Sequence, residues 1–240
     1  ASAALSTHML STALALRCMG SADDSPQMRW ALKQLDDLMI EENEIVRLQP
    51  CFSPVWDTAL TLIGLADAGL TNAHAGIRNG IQWMLDREVR RPGDWSSANP
   101  GLEPAGWFFE YANAFYPDTD DTAMVLMALA RLDALDMPGV QAAVNRALTW
   151  LVGMQNRDGG WAAFDRDINR EILTKVPFAD HNAMLDPSCP DITARVLEAL
   201  GYLGYDCEHS QVQRALDFLE RTQEPEGCWI GRWGVNYLYG

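Results

Sequence analysis

Asp118, Thr119, Asp120 and Asp121 put three carboxyls within four residues, directly ahead of the apolar run 122-TAMVLMALARL-132. An Asp before a helix is a favoured N-cap, and acids in a first turn suit the positive end of the helix dipole. Capping needs one or two acids, however, and three so close repel one another until at least one holds its proton. A protonated Asp in a dry pocket is a general acid. Around the run stand Trp107, Phe108, Phe109, Tyr111, Phe115 and Tyr116. Ring faces stabilise a cation by roughly 0.5 to 2 kcal/mol each when desolvated. Core packing accounts for any one of these rings; beside an acid, as a set, they fit the making and guarding of a carbocation. Asp-rich runs also hold Mg²⁺ at a pyrophosphate, but that chemistry wants basic residues to receive the phosphates.

Other constellations carry less. His181, Cys189, Asp191, Cys207 and His209 match no compact zinc spacing, although helical toroids with Asp, Cys and His ligands exist. Asp165 to Asn169 opens like a calcium loop, but Arg170 stands at the obligatory Gly and Val176 at the bidentate Glu. Asp120 with Asp191 would serve as the paired carboxylates of a glycosidase, yet sugar sites want polar rims and these surroundings are aromatic and aliphatic. A helical-repeat scaffold without catalysis satisfies the periodicity alone.

Composition narrows the classes further. The chain has 240 residues, 33 acidic and 18 basic, for a net charge of −15, which argues against nucleic acid as a partner. Apolar residues make up 48% and charged residues 21%, so a packed core is expected. The longest apolar run, Ala123 to Ala130, is too short for a membrane-spanning helix. No signal peptide is legible, and a chain opening on Ala is expected to start within a longer protein. Five cysteines (Cys18, Cys51, Cys189, Cys207, Cys228) without a CxxC pair point to reduced thiols in a cytosolic compartment.

The elements that must position these residues come from a repeat. Trp56-Asp57-Thr58-Ala59, Asp120-Asp121-Thr122-Ala123 and Asp191-Ile192-Thr193-Ala194 open three segments of helical apolar spacing. A second helix follows each, ending at Gly93-Asp94-Trp95, Gly159-Gly160-Trp161 and Gly227-Cys228-Trp229. Gly69, Gly139 and Gly204 are placed as C-caps of the first helices. In 146-RALTWLVGMQNRDGGW-161 and 214-RALDFLERTQEPEGCW-229, Gln155 and Gln223 precede Trp161 and Trp229. Such a Gln satisfies helix-end carbonyls while the Trp stacks over it, clamping one helix to its neighbour. In the first copy Glu88 replaces the Gln, and Trp95 is the expected partner. The reading is an all-α fold, an α/α toroid of helix pairs that is incomplete in this chain. Residues 1–50 form a leading helical segment, and residues 51–240 form the repeated pairs with the acid motif. Loops 91–106 and 158–190 gather on one face.

These residues together resemble the squalene-hopene cyclases, bacterial triterpene cyclases. The resemblance rests on 53-SPVWDT-58, 114-AFYPDTDDTA-123, 153-GMQNRDGGWAAFD-165, 187-PSCPDITARVLE-198 and 229-WIGRWGVNYLYG-240. The DCTAE motif of oxidosqualene cyclases is absent, so an unoxidised polyene is the implied substrate. By resemblance Asp120 is the proton donor, with Asp118 and Asp121 orienting it. Trp56, Phe109, Tyr116, Phe164, Trp233 and Tyr239 line the cavity, and Asp57 and Asp191 are acids near the donor. Arg195 stands where some members have His. It is either a fixed cation for the acid cluster or an ordinary helix-surface partner of Asp191 at i and i+4. Phe164 stands where others have Tyr. The resemblance implies squalene as substrate, hopene and hopanol as products, no cofactor and no metal. It also implies monotopic apolar contact with the cytoplasmic face of a bacterial membrane, and it admits a homodimer. Another protonation-type terpene cyclase is the nearest alternative. Family members are more than twice as long, so the 240 residues alone are expected to give no turnover.

Overall fold

The structure, a computed structural model, describes residues 6–49, 51–111, 113–170 and 185–232. Two compact units divide them.

The first unit takes residues up to 54 together with 110–113. It contains α1 (Ser6–Cys18), α2 (Pro26–Asp36) and an antiparallel hairpin of β1 (Met39–Glu42) and β2 (Ile45–Leu48). Ser25 caps α2 by accepting the Met28 amide at 3.3 Å, and Pro26 starts the helix where no amide is needed. Asn43 and Glu44 turn the hairpin with φ of 51° and 64°. Seven of its eight strand positions are exposed and the eighth is half-buried, so there is no buried face to impress an alternating pattern on the sequence.

The second unit is a row of helix pairs: α3 (Pro54–Asp67) with α4 (Ala75–Leu85), α6 (Thr119–Arg131) with α7 (Val140–Gly153), and α8 (Pro190–Tyr202) with α9 (Ser210–Thr222). The short α5 (Trp95–Ala98) lies in the loop after α4. One continuous buried cluster draws on all three pairs. α6 is buried over ten of its thirteen residues because it packs on both α7 and α8. Gly69 and Gly204 follow α3 and α8 with φ of 86° and 87°, as expected of helix ends. Gly139 does not. Its φ of 83° sits at the N-cap of α7, and Asp133, at φ 52°, turns the chain out of α6.

Each helix pair is closed by an indole. Trp161 donates from Nε1 to the Leu151 carbonyl at 2.7 Å, and Trp229 to that of Leu219 at 2.8 Å, satisfying carbonyls left open at the ends of α7 and α9. In the first pair this residue is Trp107, which donates to the Met84 carbonyl at 2.7 Å, and not Trp95. Trp95 donates to the Phe115 carbonyl at 3.2 Å and meets Trp150 edge-on, with ring centres 5.8 Å apart. A fully buried indole removes about 200 Å² from water, roughly 5 kcal/mol at 25 cal/mol/Å² before ordering costs.

The polar half of the clamp is present in all three copies. Gln155 donates to the carbonyls of Gly159 and Gln211 and accepts from Arg214, while Gln223 donates to the Gly227 carbonyl at 2.8 Å. Glu88 takes the same place after α4 in charged form. Arg146 of α7 grips it with Nε and Nη2 at 2.8 and 2.6 Å. The turn under Gln155 requires Gly159: at φ 99°, a Cβ would lie 2.2 Å from the Arg214 carbonyl oxygen of α9.

Candidate active site

The site is built where α6 and α8 begin. Both starts are tied to a Trp in the same way. The Asp118 amide donates to the Trp107 carbonyl at 2.9 Å, and the Trp107 amide donates to Thr122 Oγ1 at 3.0 Å. The Cys189 amide donates to the Trp161 carbonyl at 2.9 Å, and the Trp161 amide donates to Thr193 Oγ1 at 2.9 Å. Gly106 makes room for the first of these links: at φ 87°, a Cβ would approach Thr122 Oγ1 to 2.5 Å. The tryptophan whose indole closes one helix pair thus also sets, through its main chain, the start of the next pair.

On this frame Asp118 is the N-cap of α6, accepting the Asp121 amide at 2.6 Å. Its carboxyl and that of Asp121 are both buried and share a hydrogen bond. Burial pushes Asp118 up to about 7, against the pull of hydrogen bonds from Asp121 and Asp120. Asp121 is held well above the usual carboxylate range by burial and then by the charge and hydrogen bond of Asp118. The pair therefore keeps a proton.

Asp120 points instead toward α8 and forms an ion pair with Arg195. Burial raises its pKa, the Arg195 charge and hydrogen bond draw it back, and the Asp191 charge raises it again. The Arg195 guanidinium lies 5.0 Å from the centre of the Trp56 ring, a cation–π distance. The partner of Arg195 is thus Asp120 on the neighbouring helix rather than Asp191 one turn before it.

Other expected site residues are placed unevenly. Tyr116 and Phe164 meet with ring centres 5.6 Å apart and planes tilted by 50°, and the Tyr116 hydroxyl donates to Asp165 at 3.3 Å. Phe109 is half-buried, after the buried Trp107 and Phe108. Asp191 accepts the Arg232 amide at 3.3 Å, and its other oxygen is buried without a hydrogen-bond partner among the described residues. Asp57 lies exposed in the first turn of α3. Trp233 and Tyr239 fall outside the described residues.

One organiser has no signature in the sequence. Asp186 is buried, and its carboxylate accepts the amides of Phe164 and Asp165 at 2.6 and 2.7 Å and that of Ala163 at 3.3 Å. A lone Asp between Leu185 and Pro187 gives no motif, because its partners are backbone amides of a distant turn. Thr119, Thr122 and Thr193 are legible in the sequence as members of the acid run and the repeat but not in this role, for the same reason: each bonds main chain.

An acidic helix start, a fixed cation and aromatic faces can protonate a weak base and then shelter positive charge. Residues 52–240 match the family described as the squalene-hopene cyclase C-terminal domain. A probable squalene-hopene cyclase of Sinorhizobium fredii is 44% identical over 225 residues, covering 92% of this chain and 35% of that protein. The squalene-hopene cyclase of Alicyclobacillus acidocaldarius is 44% identical over 192 residues, 80% of this chain and 30% of that protein. A dammaradiene synthase of Dryopteris crassirhizoma is 40% identical over 244 residues, 97% of this chain and 35% of that protein. The chain therefore spans about a third of the length of the curated relatives it matches.

Proposed function

The chain belongs to the squalene-hopene cyclase family, whose C-terminal domain is an α/α toroid, and from that premise we propose that its full-length protein cyclises squalene by protonating a terminal alkene. The observation that carries this reading is the half-buried Asp120 carboxyl bound to Arg195 beside Trp56.

In the proposed first step Asp120 gives its proton to the less substituted alkene carbon, leaving a tertiary cation on the other. An alkene is a very weak base, so the acid must be strong. Arg195 strengthens it by stabilising the carboxylate that remains, while burial keeps the proton on the carboxyl until substrate arrives. Each later double bond gives its electron pair to the cation before it, forming one carbon–carbon bond per ring, and holding the polyene folded supplies most of the rate. Loss of a proton from the last cation gives hopene, and capture of water gives hopanol with release of a proton. Trp56, Phe109, Tyr116 and Phe164, with Trp233 and Tyr239, are assigned to shelter the cations by their ring faces. Asp118 and Asp121 hold the reserve proton and the helix start in register. Because squalene dissolves in the bilayer, the full-length protein is assigned a monotopic apolar membrane contact.

The relative named as a dammaradiene synthase favours a second reading in which the same acid starts a different ring sequence. Squalene fed to the full-length protein, with products separated by gas chromatography, decides between them. Pentacyclic hopene with EDTA present, and its loss in Asp120→Asn, is the expected result. Conversion by Asp120→Asn at the wild-type rate would sink the assignment.

A further inference from the structure

We infer that Asp186 is a positioning residue for this acid: it seats the segment Trp161–Asp165 as a strap that fixes both the spacing of Asp120 from Arg195 and the placement of the Phe164 ring. The inference rests on the cyclase reading above for its chemistry, and on the geometry of the strap for its mechanics.

The strap is held on three sides. Toward α6, the Thr119 amide donates to the Ala163 carbonyl at 2.8 Å, and Thr119 Oγ1 donates to the Ala162 carbonyl. Thr119 lies between Asp118 and Asp120 at the start of that helix, so the strap grips the acid cluster through its own backbone. Toward α8, Trp161 exchanges hydrogen bonds with the Cys189 amide and Thr193 Oγ1. Asp191 and Arg195 belong to the same first turns of α8. Two helices that must present Asp120 and Arg195 to each other are thus bonded to one five-residue segment.

The third side is Asp186. Three successive amides, Ala163 to Asp165, point at one carboxylate. Such a set of donors binds an anion far better than a neutral group, because each bond is charge-assisted. The Asp186 amide bonds to the Ile168 carbonyl at 2.8 Å, and Arg232 stands 3.8 Å from its Oδ1 while donating to the Leu185 carbonyl at 2.6 Å. Asp186 is therefore itself held from both flanks. With the amides engaged, the Phe164 side chain is held against Tyr116, and the Tyr116 hydroxyl is held on Asp165. Without the carboxylate, three amides, one buried and two half-buried, lose their acceptor, and the turn carrying Phe164 must rearrange to find others.

A purely structural residue changes how much enzyme is folded but not what the folded enzyme makes. Misplaced aromatic faces change where the growing cation loses its proton. The test is therefore the ratio of early-terminated mono- and bicyclic products to pentacyclic product, measured on the full-length protein. Asp186→Ala is expected to raise that ratio at least tenfold and to lower total conversion. Asp186→Asn is isosteric and keeps one acceptor oxygen, and it is expected to shift the ratio in the same direction by a smaller factor. Wild-type product ratios in both variants would overturn the inference. Amide hydrogen exchange at Phe164 and Asp165 tests the strap independently of chemistry. Exchange at least tenfold faster in Asp186→Asn supports it, and unchanged exchange overturns it. If the wild-type protein forms no cyclised product while these amides respond, the cyclase reading has failed and the strap has not.

Discussion

At the residue scale, the acid cluster divides its labour by environment. Asp118 and Asp121 are neighbours of Asp120 in sequence but face a different partner, and the difference is testable through pH. An unfolded Asp ionises near 3.8, whereas folded Asp118 keeps its proton up to about 7. The folded chain therefore binds the extra proton between those values. Its stabilising effect is complete below about 4 and is lost as pH rises toward 7. Asp121→Asn removes one of the two competing charges and lets the new amide donate to Asp118. We expect it to raise the melting temperature at pH 8 by about 2 °C or more while lowering cyclisation, a trade of function for stability. An unchanged or lower melting temperature would contradict the shared-proton account. Arg195 sets a guanidinium against the Asp120 carboxyl. Arg195→Gln should raise the pKa of Asp120, move the alkaline limb of the pH–rate profile upward and lower conversion at least tenfold. An unmoved limb would detach Arg195 from the acid. The acids themselves were legible in the sequence, because three carboxyls in four residues exceed what capping needs. The direction of Arg195 was not, since spacing along α8 shows which residues share a helix face and says nothing of what the neighbouring helix presents.

At the scale of elements, the repeat was readable and its register was not. Trp161 and Trp229 fall where the pattern places them, ten residues past the carbonyls of Leu151 and Leu219. The spacing to Trp95 looks equally regular, yet α5 and its loop intervene and Trp107 makes the bond. Two tryptophans in one loop cannot be ranked by spacing alone when the carbonyl they compete for is known only in three dimensions. Glu88 was likewise legible as a departure but not as a working clamp, because its partner Arg146 lies 58 residues away. Glu88 is nearly buried, with a side-chain exposure of 7% against 37% for Arg146. Removing Arg146 leaves the nearly buried Glu88 with Arg90 alone, at 3.1 Å, so Arg146→Met should destabilise by about 2 kcal/mol, below the roughly 3–5 kcal/mol of a fully buried pair left without any partner. Glu88→Gln should cost less, since Gln fills this place in the other two copies. A double-mutant cycle by urea unfolding measures both, and additive effects would show the pair to be uncoupled.

For the molecule as a whole, the all-α class followed from helical periodicity and the 65–70-residue repeat visible in the sequence, while the hairpin Met39–Leu48 did not. None of the described helices is long and apolar enough to cross a membrane. The net charge of −15 in this part of the protein opposes anionic lipid. Sedimentation of the full-length protein with vesicles should therefore show binding to zwitterionic lipid that is insensitive to salt between about 0.05 and 0.5 M, on the order of a tenfold range in screening length squared. Binding that needs anionic lipid and washes off with salt would contradict an apolar contact. One further consequence follows from the indoles. Trp107 reaches its carbonyl across 23 residues of chain, and Trp161 and Trp229 reach theirs across 10. What is kept is the docked ring, and the tether behind it is free in length. A longer stretch of chain between α4 and Trp107 thus leaves the bond to the Met84 carbonyl intact.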